Sequence, residues 1–371
     1  MMFLVFDRGV STAVASALNS GGRKMKSIIV WLFVASVMQA ADKTPFHIAL
    51  SVQKEGQSGI QVIKADGSDP RRLTKNRFDM LPKWSPDGKQ IAFLSLRKQD
   101  HDLAKEKDFA FHFFLYVMDA DGRHLRRVTR TPIGMMFQWS PDGSRFVFES
   151  SYEDRNNMGR DGTVSSAIYV MKVDGMKQKR LTPIEGIDSF PAWSPDGKQI
   201  ALCSNRDGNM DIFVMNADGS GTSQLTTDAA QDTNPIWSPD GKKIAFTSYR
   251  RQRGGSVYSV GADGVGERLL ANSGGPVAWS SDGNKLLVAT DGQIAVIDAD
   301  GRNHNRLTRP SGRASDGVFS PDGKTVFFRW KEKEDWRIVS VGLDGQKWRQ
   351  VTDLSSALGF SLSPIKTQRK R

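Results

Sequence analysis

Trp84–Phe93 reads WSPDGKQIAF, and the same ten positions return as WSPDGKQIAL at Trp193–Leu202 and as WSPDGKKIAF at Trp237–Phe246. The letters describe a strand end, a tight turn and a strand start. Proline presets φ for the second position of a type I turn, Ser and Asp bond nearby backbone, and Gly takes the positive φ that follows. The apolar run after the turn suits a buried strand. Nothing in the decapeptide resembles a nucleophile or a ligand set, so its recurrence points to architecture.

Working outward, three marks recur in constant order. The first is an aromatic residue before Ser-Pro or Ser-Ser: Trp84, Trp139, Trp193, Trp237, Trp279 and Phe319. The second is an Asp-Gly pair after an apolar strand, at Asp66, Asp121, Asp174, Asp218, Asp263, Asp300 and Asp344. The third is a short segment ending in Leu-Thr or Val-Thr, at Thr74, Thr129, Thr182, Thr226, Thr308 and Thr352, with Leu269-Leu270 as a variant. In one copy the strands read PAWS, QIALCS, DIFVMN and TSQLT, each short and separated by turn residues. Four-stranded units repeating about every 40–55 residues are those of a β-propeller, whose blades bury their faces against each other. The aromatic before Ser-Pro then wedges between blades.

Six units carry the aromatic, but seven carry the Asp-Gly pair. The segment FHIALSVQ…GIQVIKADGSDPRRLT from Phe46 supplies the second to fourth strands of a unit, and ALGFSLSPIK from Ala357 supplies a first strand and the start of its turn. We therefore expect a seven-bladed, all-β propeller over residues 44–366, closed by strands from both termini, with a six-bladed ring as the alternative. Closure of this kind leaves no terminal repeat with an unpaired edge.

The net charge of +11 invites a nucleic-acid reading that its distribution removes. Arg8, Arg23, Lys24 and Lys26 lie ahead of the repeats and Lys366, Arg369, Lys370 and Arg371 follow them, the last of these in a basic tail at 367–371. The body between is close to neutral and has no basic stripe interleaved with aromatics, so no nucleic-acid partner is expected. Residues 1–41 read as a signal-peptide region. From Met25, an alternative start, a basic opening leads to an apolar run at Ile28–Val37 and small residues at Ala40 and Ala41, too short a run for the ~20 residues of a transmembrane span. The expected location is periplasmic or secreted, and the protein is expected to be monomeric. Cys203, the single cysteine, reads as a small core residue.

A paired position varies within the repeat. Asp79, Asp188 and Asp232 stand five residues before their aromatic, and Arg97, Arg206 and Arg250 thirteen after it. The other units carry Gly134 with Tyr152, Gly274 with Gly292, and Ala314 with Glu332, so Arg does not occur without Asp. An 18-residue separation should bring the pair together on one rim, as a structural ion pair that orders two loops or as part of a rim for a partner. Exposed pairs of this type contribute only ~0–1 kcal/mol. Two units also have long connections between second and third strands. Loops that lengthen on a rigid scaffold commonly carry binding, so Arg97, Asp100, His101, Asp102, Phe109, Phe111, Tyr152, Asp154 and Arg155 form the candidate binding rim. A merely variable, solvated loop pair is the other reading.

His47, His101, His112, His124 and His304 lack the spacing that sets two imidazoles on one metal. The DADG segments lack the third acidic ligand and the closing Glu of a calcium loop and read as turns. No Gly-x-Ser-x-Gly elbow and no phosphate loop occurs. No catalytic residue, metal or cofactor is expected.

The sequence P-x-WSPDGK-x-IAF-x-S-x-R, followed by IYVM-x-ADG and RLT, resembles the TolB-type propeller repeat of the WD40-like (PD40) class, over nearly the whole repeat region. The resemblance implies an exported propeller and, by analogy with TolB, a periplasmic role in an envelope complex with a lipoprotein partner. TolB has six blades and an α/β domain before them, whereas seven are counted here and the repeats begin close to the signal-like segment. The same repeat is similar to the N-terminal part of prolyl oligopeptidase-family enzymes, and to oligogalacturonate lyases with seven blades and a histidine-rich metal site. The leading reading is a non-catalytic interaction module whose partner is an envelope protein or cell-wall component. The alternative is a carbohydrate-active enzyme at the channel mouth, for which His101, His112 and His124 are the residues to test.

Overall fold

The computed structural model describes residues 46–53, 56–97, 113–151, 165–183, 186–251, 254–309, 311–332, 335–352 and 357–364. Among these residues, twenty-eight strands build seven four-stranded antiparallel sheets. Blade 1 comprises β1 (His47–Val52), β2 (Gly59–Lys64), β3 (Arg71–Arg72) and the last strand, β28 (Ala357–Leu362). Blade 2 holds β4 (Met80–Trp84), β5 (Gln90–Ser95), β6 (Phe114–Asp119) and β7 (Arg126–Arg127), and blade 3 holds β8 (Phe137–Trp139), β9 (Arg145–Ser150), β10 (Ala167–Lys172) and β11 (Lys179–Arg180). Blade 4 holds β12 (Asp188–Trp193), β13 (Gln199–Ser204), β14 (Asp211–Asn216) and β15 (Ser223–Gln224). Blade 5 holds β16 (Asp232–Trp237), β17 (Lys243–Ser248), β18 (Ser256–Gly261) and β19 (Arg268–Ala271). Blade 6 holds β20 (Gly275–Trp279), β21 (Lys285–Thr290), β22 (Gln293–Asp298) and β23 (Asn305–Arg306), and blade 7 holds β24 (Arg313–Phe319), β25 (Thr325–Glu332), β26 (Asp335–Gly342) and β27 (Arg349–Gln350).

The ring closes as the partial repeats require. β28 pairs with β1 through Ile48↔Leu362, Ala49↔Ser361 and Leu50↔Phe360. Ser363 then stands in for the serine of the turn motif: its amide donates to His47 O at 2.8 Å and its hydroxyl accepts the His47 amide at 2.8 Å. Ser85 treats Gln90 in the same way, at 2.9 Å for both bonds.

Each mark has a physical cause. In the Ser-Pro-Asp-Gly turn the Ser85 hydroxyl donates to Asp87 (2.7 Å), which also accepts the Lys89 amide, and the arrangement repeats at Ser140, Ser194, Ser238, Ser280 and Ser320. The Asp-Gly hairpin presses on the preceding blade so closely that a Cβ at Gly67 would stand 2.1 Å from Val351 O, so no other residue fits. The closing threonine accepts an amide from its own third strand, Thr226 Oγ1 from Ile212 N at 3.0 Å, with equivalents at Thr74, Thr129, Thr182, Thr308 and Thr352. The indole N–H groups of Trp139 and Trp237 donate to Lys83 O (3.1 Å) and Ala192 O (3.0 Å) of the preceding blades. The aromatic is thus both wedge and cross-blade donor.

Second and third strands are buried along nearly their whole length, since both faces of a blade meet a neighbour. The core therefore lies in the seams, with one apolar cluster at each junction between blades. Fourth strands are mostly two residues long and polar, which blunts the outer edges. First strands extend further than the PAWS segment suggests, back to Asp188 in blade 4, because a bulge between Ser189 and Ala192 inserts extra residues. The left-handed φ values of Leu81, Phe190, Asn234 and Asp316 mark these bulges.

Candidate functional site at the channel mouth

First strands of successive blades touch one another around the axis and wall the channel. The Ser-Pro-Asp-Gly turns and Asp-Gly hairpins lie on one face, because Gln90 pairs with Asp119 at that end of blade 2. Ser95 pairs with Phe114 at the other end, where the second strands finish and the first begin. This second face is the mouth.

At the mouth Arg97 Nη2 lies 2.9 Å from Asp79 Oδ1, Arg206 Nη2 3.0 Å from Asp188 Oδ1, and Arg250 Nη2 2.9 Å from Asp232 Oδ2. The three carboxylates are buried, at 0%, 2% and 0% side-chain exposure, so the small energies of exposed pairs do not apply. The Ser95 hydroxyl donates to Asp79 at 2.6 Å with Thr74 of the preceding blade beside it, whereas Asp232 lies beside Ser248 and Thr226 with its buried Oδ1 lacking a hydrogen-bond partner among the described residues. Burial nonetheless pushes both carboxyls above the ordinary Asp range. Each guanidinium also caps a third-strand ring, Arg97 over Tyr116 (4.9 Å), Arg206 over Phe213 (4.9 Å) and Arg250 over Tyr258 (4.4 Å). The sequence reading passed over these rings, although the third residue of β6, β14 and β18 is aromatic in each Arg-bearing blade. Each pair joins the first strand of its blade to the connection that leaves the second. Asp100, His101, Asp102, Phe109, Phe111, Tyr152, Asp154 and Arg155 of the candidate rim lie outside the described residues.

Blade 3 departs from the pattern. Gly134 replaces the aspartate, and a Cβ there would meet Glu149 Cγ at 2.8 Å, so the side chain of Glu149 on β9 fills the space. Its Oε2 accepts the Phe190 amide of blade 4 at 3.4 Å. Burial raises the Glu149 pKa to about 7. Next to it on the ring, Lys83 of β4 donates to Phe137 O at 2.7 Å and lies 4.9 Å from the Phe137 ring centroid. Enclosure by the inner strands lowers the Lys83 pKa to about 8, although the side chain keeps partial exposure. The connection into β8 exposes Met135 (40%) and Met136 (38%), and Met80, Leu81 and Phe190 are partly exposed on the flanking first strands. These side chains belong to blades 2, 3 and 4, which are successive in the ring.

The described histidines stand apart from one another. His124 Nδ1 is 2.6 Å from Asp119 in an Asp-Gly hairpin on the turn face, and His304 likewise sits in a hairpin, 3.1 Å from Gly301 O. His101 and His112 lie outside the described residues. Among the described residues no three His, Cys, Asp or Glu side chains come together as metal ligands. Cys203 is fully buried and its thiol pKa is raised by burial. Among these residues no helix is long and apolar enough to cross a membrane.

Seven blades around a channel, a mouth framed by buried Asp–Arg pairs, and seams fastened by repeated turns define a WD40-like β-propeller repeat protein. The family model PD40, the TolB beta propeller domain, matches residues 113–358, and the chain belongs to that family. Among curated relatives, the uncharacterized protein Atu1656 of Agrobacterium fabrum is 30% identical over 155 residues, covering 40% of this chain and 44% of that one. The Tol-Pal system protein TolB of Alcanivorax borkumensis is 36% identical over 96 residues, 25% of this chain and 20% of its own length. The matches thus span less than half of either relative. Among solved structures, TolB from Acinetobacter baumannii gives a TM-score of 0.54 at 21% identity, covering 86% of this chain and 67% of its own. The oligogalacturonate lyase of Vibrio parahaemolyticus gives 0.59 at 12% identity, covering 77% and 88%. At these identities the likeness is one of fold.

Proposed function

We propose that the protein is an exported, non-catalytic interaction module of the periplasm that docks an envelope protein or cell-wall component on its mouth face. The carrying observation is the exposure of Met135 and Met136 at that mouth, beside Met80, Leu81 and Phe190. Clustered apolar side chains on a folded surface mark binding sites, and methionine adapts its shape to a partner. The long connections after β5 and β9, which carry Arg97, Asp100, His101, Asp102, Phe109, Phe111, Tyr152, Asp154 and Arg155, start from the same face. Relatives named for the Tol-Pal system support an envelope partner. Cross-linking of the full chain in envelope extract, read by mass spectrometry, tests the proposal. A specific partner should be lost with M135D/M136D at unchanged melting temperature and kept with V265D, which changes a still more exposed apolar residue on the turn face. Loss with V265D alone, or an identical set of partners for all three proteins, would sink the reading.

A second reading, a carbohydrate-active enzyme at the channel, rests on Glu149 and Lys83, whose pKa values of about 7 and about 8 allow proton exchange near neutrality. Cleavage of an acidic polysaccharide by the wild type and not by E149Q would favour it. So would a stoichiometric divalent ion lost on substitution of His101 or His112; His124 belongs to the turn face.

A further inference from the structure

The sevenfold repeat supplies its own control, since a residue that departs at one seam can be compared with six equivalents. The residue before the fourth strand is Pro70, Leu125, Gln178, Thr222, Glu267 or His304 in blades 1 to 6, but Trp348 in blade 7. Trp348 packs edge-on against Phe328 (5.4 Å) and Trp330 (5.3 Å), and Arg309 of blade 6 lies 4.6 Å over its ring. The indole holds that guanidinium in place at the seam. Arg306 occupies the position of Arg72 and Arg180, whose guanidinium groups donate to Thr74 O (3.0 Å) and Thr182 O (2.8 Å); among the described residues Arg306 makes no such bond. Lys347 stands exposed in the hairpin opposite.

These three cations line one open cavity of about 330 Å³, together with Leu307, Thr308, Gly345, Gln346 and Trp348. No carboxylate is among the lining residues. Like charges gathered around a concavity raise its potential and draw a counter-anion, and guanidinium groups match the geometry of oxyanions. We propose that the seam between blades 6 and 7 is a binding site for a multiply charged oxyanionic group, phosphoryl or carboxyl, held by Arg306, Arg309 and Lys347. The seam between blades 2 and 3 shows what the tryptophan adds. It carries Arg127, Arg130 and Lys177 at the same positions, with Gln178 in place of the indole.

The test is calorimetric titration of the full chain with inorganic pyrophosphate and, separately, with a trimer of galacturonate, at about 0.15 M salt so that diffuse surface attraction is screened. One of the two should bind at a single site. Stronger pyrophosphate binding assigns a phosphoryl ligand, and stronger trimer binding a carboxylated one. R309A and R306A should each weaken binding roughly tenfold or more, as expected for loss of a charge-assisted bond, whereas R130A leaves it unchanged. All three positions are exposed, and unchanged melting curves confirm that each variant folds. Binding of neither probe at millimolar concentration, or equal weakening by R130A and R309A, would overturn the site.

Discussion

Blades 5 and 3 solve the same problem at the mouth in different ways. In blade 5 a carboxylate from the first strand, Asp232, is buried against Arg250 of its own blade, which donates to Oδ2, while Oδ1 has no hydrogen-bond partner among the described residues. In blade 3 the first strand has Gly134, and the carboxylate comes instead from Glu149 on the second strand, which meets backbone amides rather than a guanidinium among the described residues. The acid is kept while the base is lost. Asp232 faces a guanidinium, whereas burial carries Glu149, which has none beside it among the described residues, to a pKa of about 7. The blade that has lost its cation is also the one that exposes Met135 and Met136, so departure from the repeat and the candidate surface coincide.

The comparison is most sharply broken by removing the cation from blade 5. R250M leaves Asp232 buried and unpaired and should cost about 3–5 kcal/mol, measurable by urea unfolding, while D232N/R250M should recover much of the loss. A loss below 1 kcal/mol would mean that the pair is not framework and that the two blades do not differ in kind.

Glu149 should give a somewhat smaller, pH-dependent effect. Its folded pKa, about 7, is above the ordinary 4.5, so the native state holds the proton more tightly than the unfolded one. Its contribution to stability is present below pH 4.5 and lost as pH rises through about 7, a change of up to roughly 3 kcal/mol. Lys83, lowered to about 8, stays charged through most of that window. Thermal melts from pH 4.5 to 8 should show E149Q gaining on the wild type as pH rises; parallel curves would remove the contrast with blade 5.

The smallest effect concerns the wedges. Trp237 donates to Ala192 O, whereas the buried indole N–H of Trp193 has no hydrogen-bond partner. W237F should therefore cost about 1 kcal/mol more than W193F in the same unfolding assay. Equal losses would show that the aromatic serves as volume alone.

The turn grammar was legible because its causes are local: Pro86 fixes φ, Ser85 and Asp87 bond backbone within five residues, and Gly88 takes φ 68°. The mouth was legible only in part. The Asp79–Arg97 spacing shows in the chain, but the approach of Thr74 to Asp79 comes from another blade, and no motif marks Glu149. The cavity beside Trp348 had no signal in the pattern either, since its cations come from two units.

By itself, then, the sequence determined the blade, its turns, the count of seven and the closure of the ring by strands from both termini, because each follows from short-range backbone preferences repeated until the ring closes. Tertiary structure alone decided which charges lost their water, which tryptophans found an acceptor and where cations from two blades converge. Solvation and hydrogen bonding across a seam depend on how side chains of separate blades meet, and no local backbone preference records that.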